Sequence, residues 1–146
     1  MLNTTFYKEE IKLPHPPSQS GHYLAVKQVG NMIYVSGVTC KWNGKTLYQG
    51  KVGKDLAIEE GYRAAKISGL NLLAILQQHI GDLSRVKQIV KITGYVNCEE
   101  GFGKIPQVVN GASDLFVNLY GKEGEHVRCA VGVASLPGNA AVEVDV

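Results

Sequence analysis

The end of the chain reads VRCAVGVASLPGNAAVEVDV over residues 127–146, and this stretch decides how the rest of the chain is organised. Residues 127–134 alternate valine or cysteine with arginine or a small residue, and residues 142–146 alternate valine with an acidic residue. A period of two is typical of half-buried strands. The pattern therefore predicts two strands with a break at Pro137-Gly138, each carrying charge on the face opposite its valines.

Arg128 and Glu143 are the charges that these two strands carry. One explanation is a solvated sheet face or a structural ion pair. The other is a guanidinium at the floor of a cleft, where it takes a carboxylate through two parallel hydrogen bonds. A plain hairpin would set Glu143 opposite about Gly132, roughly 13 Å along the strand from Arg128. The two charges would then serve separately, unless the last strand crosses over to pair elsewhere in the sheet.

The composition is that of one globular domain. The chain has 146 residues, of which 45% are hydrophobic and 19% charged, enough to build one core without disulfide staples. We therefore expect a single domain over residues 1–146, with residues 1–20 as an extended N-terminal arm because three prolines lie between positions 14 and 17. The net charge of +2 comes from scattered lysines and arginines, so nucleic acid is an unlikely partner.

The cysteines and histidines give no support to a metal site, a cofactor or a disulfide framework. The three cysteines lack C-x-x-C spacing and the four histidines include no i, i+4 pair. A nucleophilic Cys-His pair stays open, but each cysteine also suits a small apolar core position. Reduced thiols, together with the lack of a signal peptide or of a run of ~20 apolar residues, predict a cytoplasmic protein that does not span a membrane.

The remaining pattern predicts the element order ββ(β)αβαββ. Gly30-Asn31 and the run 42–45 are turn signals, and Gly81 and Gly121 are helix stops. The predicted elements are strands at Tyr23 to Val29, Met32 to Val38 and, as a short edge strand, Tyr48 to Val52; a helix from Asp55 to His79; a strand covered on both faces from Val86 to Asn97; and a second helix from Pro106 to Tyr120.

Several short motifs of this chain occur together in a known family. They are Gly21-His22-Tyr23, the run GNMIYVSG at 30–37, Arg128-x-x-Val131, and Leu136-Pro137 followed by Val142-Glu143-Val144. Together they resemble the RidA (YjgF) family of enamine/imine deaminases, also labelled translation inhibitors or L-PSP endoribonucleases. The resemblance runs from about Tyr23 to the C-terminus, and the long arm and the run VNGASDL at 109–115 are similar to the family's longer subgroup.

The resemblance implies an α+β, chorismate-mutase-like fold. In it, two helices pack on one face of a mixed sheet, and the last strand inserts into the middle of that sheet. It also implies a homotrimer with a central barrel and ligand clefts between subunits. Arg128 would bind the substrate carboxylate and Glu143 would orient the attacking water. The side chains expected to line the cleft are Tyr23, Ser36, Gly37 and Asn110.

The chain departs from the family pattern at several positions. Ala130 stands where the family often has cysteine, and the adjacent Cys129 should point to the other face of the strand. His22 stands where proline is usual, and Val38 and Cys40 replace a glutamine and a proline. These changes bear on pocket shape and substrate range.

The function that the resemblance implies is hydrolysis of reactive 2-imino or enamino acids, such as 2-iminobutanoate and 2-iminopropanoate, to 2-oxo acids and ammonia. Because the iminium carbon is already electrophilic, the reaction needs an oriented water and a bound carboxylate, without metal or cofactor. A second reading is a non-catalytic binder of small carboxylates with a sensing or regulatory role. RNA cleavage ranks last, because the sequence offers no histidine-rich or basic groove.

Overall fold

The structure, a computed structural model, describes residues 11–146. It contains two long helices and eight strands, several of them short. The elements in chain order are β1 Val26–Val29, β2 Met32–Val35, β3 Val38–Thr39, β4 Lys41–Trp42, β5 Lys45–Thr46, α1 Ile58–Ile80, β6 Lys91–Asn97, α2 Ile105–Tyr120, β7 Val127–Val133 and β8 Val142–Asp145.

The main sheet has the order β3-β8-β6-β7. Strand β7 runs parallel to β6, while β8 is antiparallel to both of its neighbours, β6 and β3. The last strand thus lies inside the sheet, as the family resemblance implied, and the hairpin between the two terminal strands does not form. Helices α1 and α2 pack on one face, and the predicted α+β fold with a mixed sheet is confirmed.

The core lies between this sheet and the two helices. Val142 and Val144 of β8 and Ile92 and Val96 of β6 are fully buried there. The helices approach closely where Gly111 of α2 meets the backbone carbonyl of Tyr62, a contact that leaves no room for a Cβ atom. Within residues 11–146, no helix combines the length and the apolar character needed to cross a membrane.

The short-range predictions are confirmed where turn chemistry dictates them. β1 and β2 form a hairpin around Gly30-Asn31, and β4 and β5 form another around Asn43-Gly44. In the second turn, Asn43 and Gly44 both have positive φ. Helix α1 ends at Gly81, which has a φ of 84°. It begins three residues later than predicted because Asp55 closes a turn instead, accepting a hydrogen bond from the Lys51 N–H at 2.8 Å.

Three predictions about strands are wrong. Residues 48–52 form only isolated bridges, of Gln49 with Ala140 and of Val52 with Leu56 and Cys98. The strand predicted from Val86 starts at Lys91, because Ile89 bonds to the turn carbonyl of Glu123 rather than to a neighbouring strand.

The third concerns burial of the sheet. The predicted two-sided burial of β6 is absent from the described chain, since its alternate residues, among them Tyr95, face away from the helices and are partly exposed. The valines of the two terminal strands also lie on opposite faces. Those of β8 are in the core, whereas Val127 and Val131 of β7 are 65% and 37% exposed. The helix-free face of the sheet is therefore only partly apolar.

The N-terminal segment packs against the domain, and the three cysteines differ in burial. Residues 11–20 have no helix or strand, and Ile11 and Pro14 are buried against the domain; the part of the predicted arm over residues 1–10 lies outside the described residues. Cys40 is a core residue as expected. Cys98 is only partly buried and Cys129 is exposed, so a core position is wrong for Cys129.

Candidate functional site

Four of the six predicted site residues line one cleft. Tyr23, Ser36, Gly37 and Glu143 surround a space of about 90 Å3 at the β3 edge of the sheet. Lys41 is also in the lining, and residues 17–20 of the N-terminal segment form another wall. The family pattern did not point to these last residues, because their contribution depends on how the irregular segment folds back.

A bulge in the backbone shapes this cleft. Val35 pairs with Val146, and Val38 lies opposite Val144. The segment from Val35 to Val38 therefore advances three residues where the C-terminal strand advances two, which makes a bulge. Ser36 and Gly37 occupy the extra length. The Ser36 hydroxyl donates to the Leu24 carbonyl at 2.6 Å, which leaves its lone pairs for other donors.

Gly37 and Glu143 are in direct contact. A Cβ atom added to Gly37 would lie 2.5 Å from Oε1 of Glu143, so only glycine lets this carboxylate take its present position. Glu143 is half-buried, and burial raises its pKa, with a further contribution from the negative charge of Asp145. The carboxylate therefore holds a proton more readily than an exposed one does.

The other two predicted residues form a second group, on the opposite face of the sheet. The Arg128 side chain of β7 points toward α2, where Nη1 donates to Oδ1 of Asn110 at 2.8 Å and to Oγ of Ser113 at 3.1 Å. Nη2 donates to the Pro106 carbonyl at 3.5 Å. No carboxylate of residues 11–146 pairs with this guanidinium, and all three acceptors are neutral.

Arg128 therefore keeps unused binding capacity. A guanidinium has five N–H donors, and these contacts use three of them. The Nε–H and one N–H on Nη2 have no acceptor among residues 11–146, and two is the number of donors that one carboxylate accepts in a bidentate pair. Of the two explanations for this arginine, the internal ion pair does not occur within the described residues.

Ser113 and His126 were missed as members of this second group. Both contribute to the surroundings of Arg128, since Ser113 Oγ lies 2.9 Å from His126 Nε2. A spacing rule could have found them: Asn110 and Ser113 are three residues apart on one helix, and His126 precedes Arg128 by two residues.

Cys129 lies on the helix-free face beside Thr93, as predicted. Ala130 is opposite Gly94 and shares the helix-facing side with Arg128. Residues 11–146 contain no cluster of three or more His, Cys, Asp or Glu side chains arranged to hold a metal ion.

The fold defines a class of protein in which two helices cover one face of a mixed sheet whose C-terminal strand is internal. Comparison with family models gives the family: residues 5–145 match the one described as "YjgF/chorismate mutase-like, putative endoribonuclease". The chain belongs to this family.

Individual relatives agree with this assignment. The chain is 41% identical over 136 residues to Protein TCP17 of Trypanosoma cruzi, covering 92% of this chain and 85% of that protein. It superimposes with a TM-score of 0.89 on a protein of Shewanella oneidensis described as a "putative endoribonuclease", at 35% identity and with 92% and 89% of the two chains covered. RidA from an Antarctic Psychrobacter shares the fold, with a TM-score of 0.60, 22% identity and coverage of 94% and 96%.

Proposed function

We propose that the protein hydrolyses 2-imino or enamino acids to 2-oxo acids and ammonia. The observation that carries the proposal is the state of Arg128: a guanidinium held by neutral acceptors, with two N–H donors left over. A positive charge without an internal counter-ion suits an anionic ligand, and the planar fork matches a carboxylate. Binding the carboxylate fixes the position of the adjacent imine carbon.

Glu143 supplies the second requirement of the reaction. Its raised pKa makes its ionised form a stronger base toward water than an ordinary carboxylate is. Water oxygen adds to the iminium carbon as Glu143 takes one water proton. Glu143 passes that proton to the nitrogen of the carbinolamine. The C–N bond then breaks as Glu143 takes the hydroxyl proton and the C=O bond forms, and the released ammonia takes up that proton and leaves as ammonium. The reaction consumes one water and requires no oxidant or metal.

The two groups belong to different copies of the chain in this proposal. Glu143 of β8 and Val131 of β7 both lie opposite Tyr95 on β6, the strand between them. Arg128 is three residues from Val131 along β7. The separation within one chain is therefore ~14 Å, from two strand spacings across and three residues along, and the two side chains are on opposite faces. A four-carbon imino acid spans only ~4 Å between its terminal carbons, so one chain cannot contact it with both groups.

The location of the groups favours a ring. The Glu143 cleft is at the β3 edge of the sheet and Arg128 is on β7 at the other edge. Head-to-tail association of copies joins opposite edges, and such contacts close into rings. We propose the homotrimer with shared clefts that the family resemblance implied. Tyr23, Ser36 and Gly37 would then face Arg128 and Asn110 of the neighbouring copy. The odd number of cysteines supports placing this activity in the cytoplasm.

A non-catalytic carboxylate binder is the second candidate. The distance between Arg128 and Glu143 within one chain favours it, because Arg128 and Asn110 could bind a 2-oxo acid without Glu143. Freshly generated 2-iminobutanoate distinguishes the two: a deaminase releases ammonia faster than buffer does. Binding of 2-oxobutanoate measured by calorimetry, with ammonia release at the buffer rate, would establish the binder instead.

Variant mixing tests the shared cleft directly. Arg128→Ala and Glu143→Gln should each remove turnover while leaving the protein folded. After subunit exchange in a 1:1 mixture, about a quarter of the shared sites would combine an intact arginine with an intact glutamate, so about a quarter of the activity should return. A mixture that stays inactive, or a 15.8 kDa monomer that deaminates imines, would overturn the shared-cleft arrangement.

A further inference from the structure

A line of hydrogen bonds leads from the turn before β7 to the guanidinium of Arg128. His126 Nδ1 lies 2.6 Å from the Gly124 carbonyl oxygen, and its Nε2 lies 2.9 Å from Ser113 Oγ. Ser113 Oγ lies 3.1 Å from Nη1 of Arg128. The imidazole also packs edge-on against Phe116, with the rings 6.3 Å apart and at 89°. His126 is thus held by its ring packing as well as by both of its nitrogens.

The direction of each bond follows from chemistry. A carbonyl can only accept, so Nδ1 carries the proton that is donated to Gly124. In the neutral imidazole, Nε2 is then an acceptor and takes the single hydroxyl proton of Ser113. With its proton so committed, Ser113 presents only lone pairs to Arg128. An arginine needs this arrangement, because a guanidinium has no acceptor of its own.

We propose that His126 and Ser113 are positioning residues that fix the guanidinium of Arg128 for carboxylate binding. Ser113 and Asn110 together occupy both N–H groups of Nη1. This holds the guanidinium plane so that the Nε–H and the remaining Nη2–H are the pair offered to a ligand. A guanidinium fixed in advance loses less side-chain freedom when the ligand binds.

The consequence for binding rests on the proposed function, and calorimetry with 2-oxobutanoate measures it. Ser113→Ala removes one acceptor from a charged donor and should weaken binding about tenfold. His126→Phe keeps a ring against Phe116 but frees the Ser113 hydroxyl to turn, so we expect a weakening of about threefold at an unchanged unfolding temperature. His126→Gln, which can place an amide oxygen near Nε2, should recover most of that loss.

A double-mutant cycle separates positioning from general support. If His126 acts only through Ser113, the double variant Ser113→Ala, His126→Phe should bind as Ser113→Ala alone does. In turnover, both single variants should raise KM more than they lower kcat. Additive losses in the double variant, or a His126→Phe protein that binds like the wild type, would overturn the inference.

NMR decides the inference independently of any activity. In the wild type, the His126 nitrogen shifts should report the Nδ1–H tautomer, and rotation of the Arg128 guanidinium should be slow. Rotation should become fast in Ser113→Ala. If the wild-type protein releases ammonia from 2-iminobutanoate no faster than buffer does but shows these signals, the proposed function fails and the positioning chain stands. If it releases ammonia faster than buffer while rotation is equally fast in both proteins, the chain fails and the function stands.

Discussion

Gly37→Ala is the substitution that should most directly separate activity from stability. The added Cβ would lie 2.5 Å from Oε1 of Glu143, about 1 Å short of an ordinary contact of ~3.5 Å. The carboxylate has to move by about that amount, since Gly37 is fixed in the backbone of the bulge. A displacement of ~1 Å in a positioned catalytic group costs about 100-fold in rate, so kcat for 2-iminobutanoate should fall by about that factor.

Stability should change much less. The clashing atom is the end of a side chain that is only half-buried, so relief by rotation should limit the loss to about 1 kcal/mol in urea unfolding. Gly103→Ala is the matched control, because nothing lies within 4 Å of its added Cβ. An unchanged kcat in Gly37→Ala, or an equal loss of rate in Gly103→Ala, would refute this role for the Gly37–Glu143 contact.

Three further predictions follow from other contacts. Because Glu143 must be ionised to act as a base, kcat/KM should fall as the pH drops through its raised pKa. Asp145→Asn removes a neighbouring negative charge and should move this acid limb of the pH profile to lower pH. An acid limb that does not move would contradict the role of Glu143 as the base. Tyr62 donates to Asp114 at 2.6 Å, which raises the pKa of Tyr62 to about 12. Absorbance titration should therefore show a phenol ionising near that pH in the wild type that is missing in Tyr62→Phe, and this substitution should cost about 1 kcal/mol in urea unfolding. Gly111→Ala should destabilise the protein by about 3 kcal/mol, because its Cβ would overlap the carbonyl of Tyr62 on α1. A melting temperature equal to that of Gly103→Ala would show that the helices can separate freely.

The sequence predicts the local structure well where one or two residues decide it. Gly30-Asn31 sets the first hairpin, and Gly81 and Gly121 end the helices. Alternation also identifies correctly which residues of β7 share a face. It does not say which face receives the helices, because that depends on the neighbours of the strand. The valines at 127 and 131 therefore remain exposed in the described chain, although they fit the strand pattern as well as those of β8 do.

For the candidate site too, the sequence predicts the residues but not their arrangement in space. The family motifs name Arg128 and Glu143, but residue spacing cannot show that they face opposite sides of the sheet. That separation arises because β8 inserts between β3 and β6, which sets Glu143 beside Thr39 and leaves Arg128 on the edge strand. The trimer stays a prediction, since its evidence is the placement of these two groups rather than an observed contact.

Each half of the candidate site is built by a local unit of the fold. Arg128 takes its orientation from α2, the helix that connects β6 to β7, whereas Glu143 takes its position from the bulge at Gly37. The two units share no hydrogen bond among the described residues. A substitution in one should therefore leave the geometry of the other intact, and stability losses from Asn110→Ala and Gly37→Ala should add. The proposed reaction needs both halves at once, so a substitution in either unit should remove turnover while leaving the protein folded.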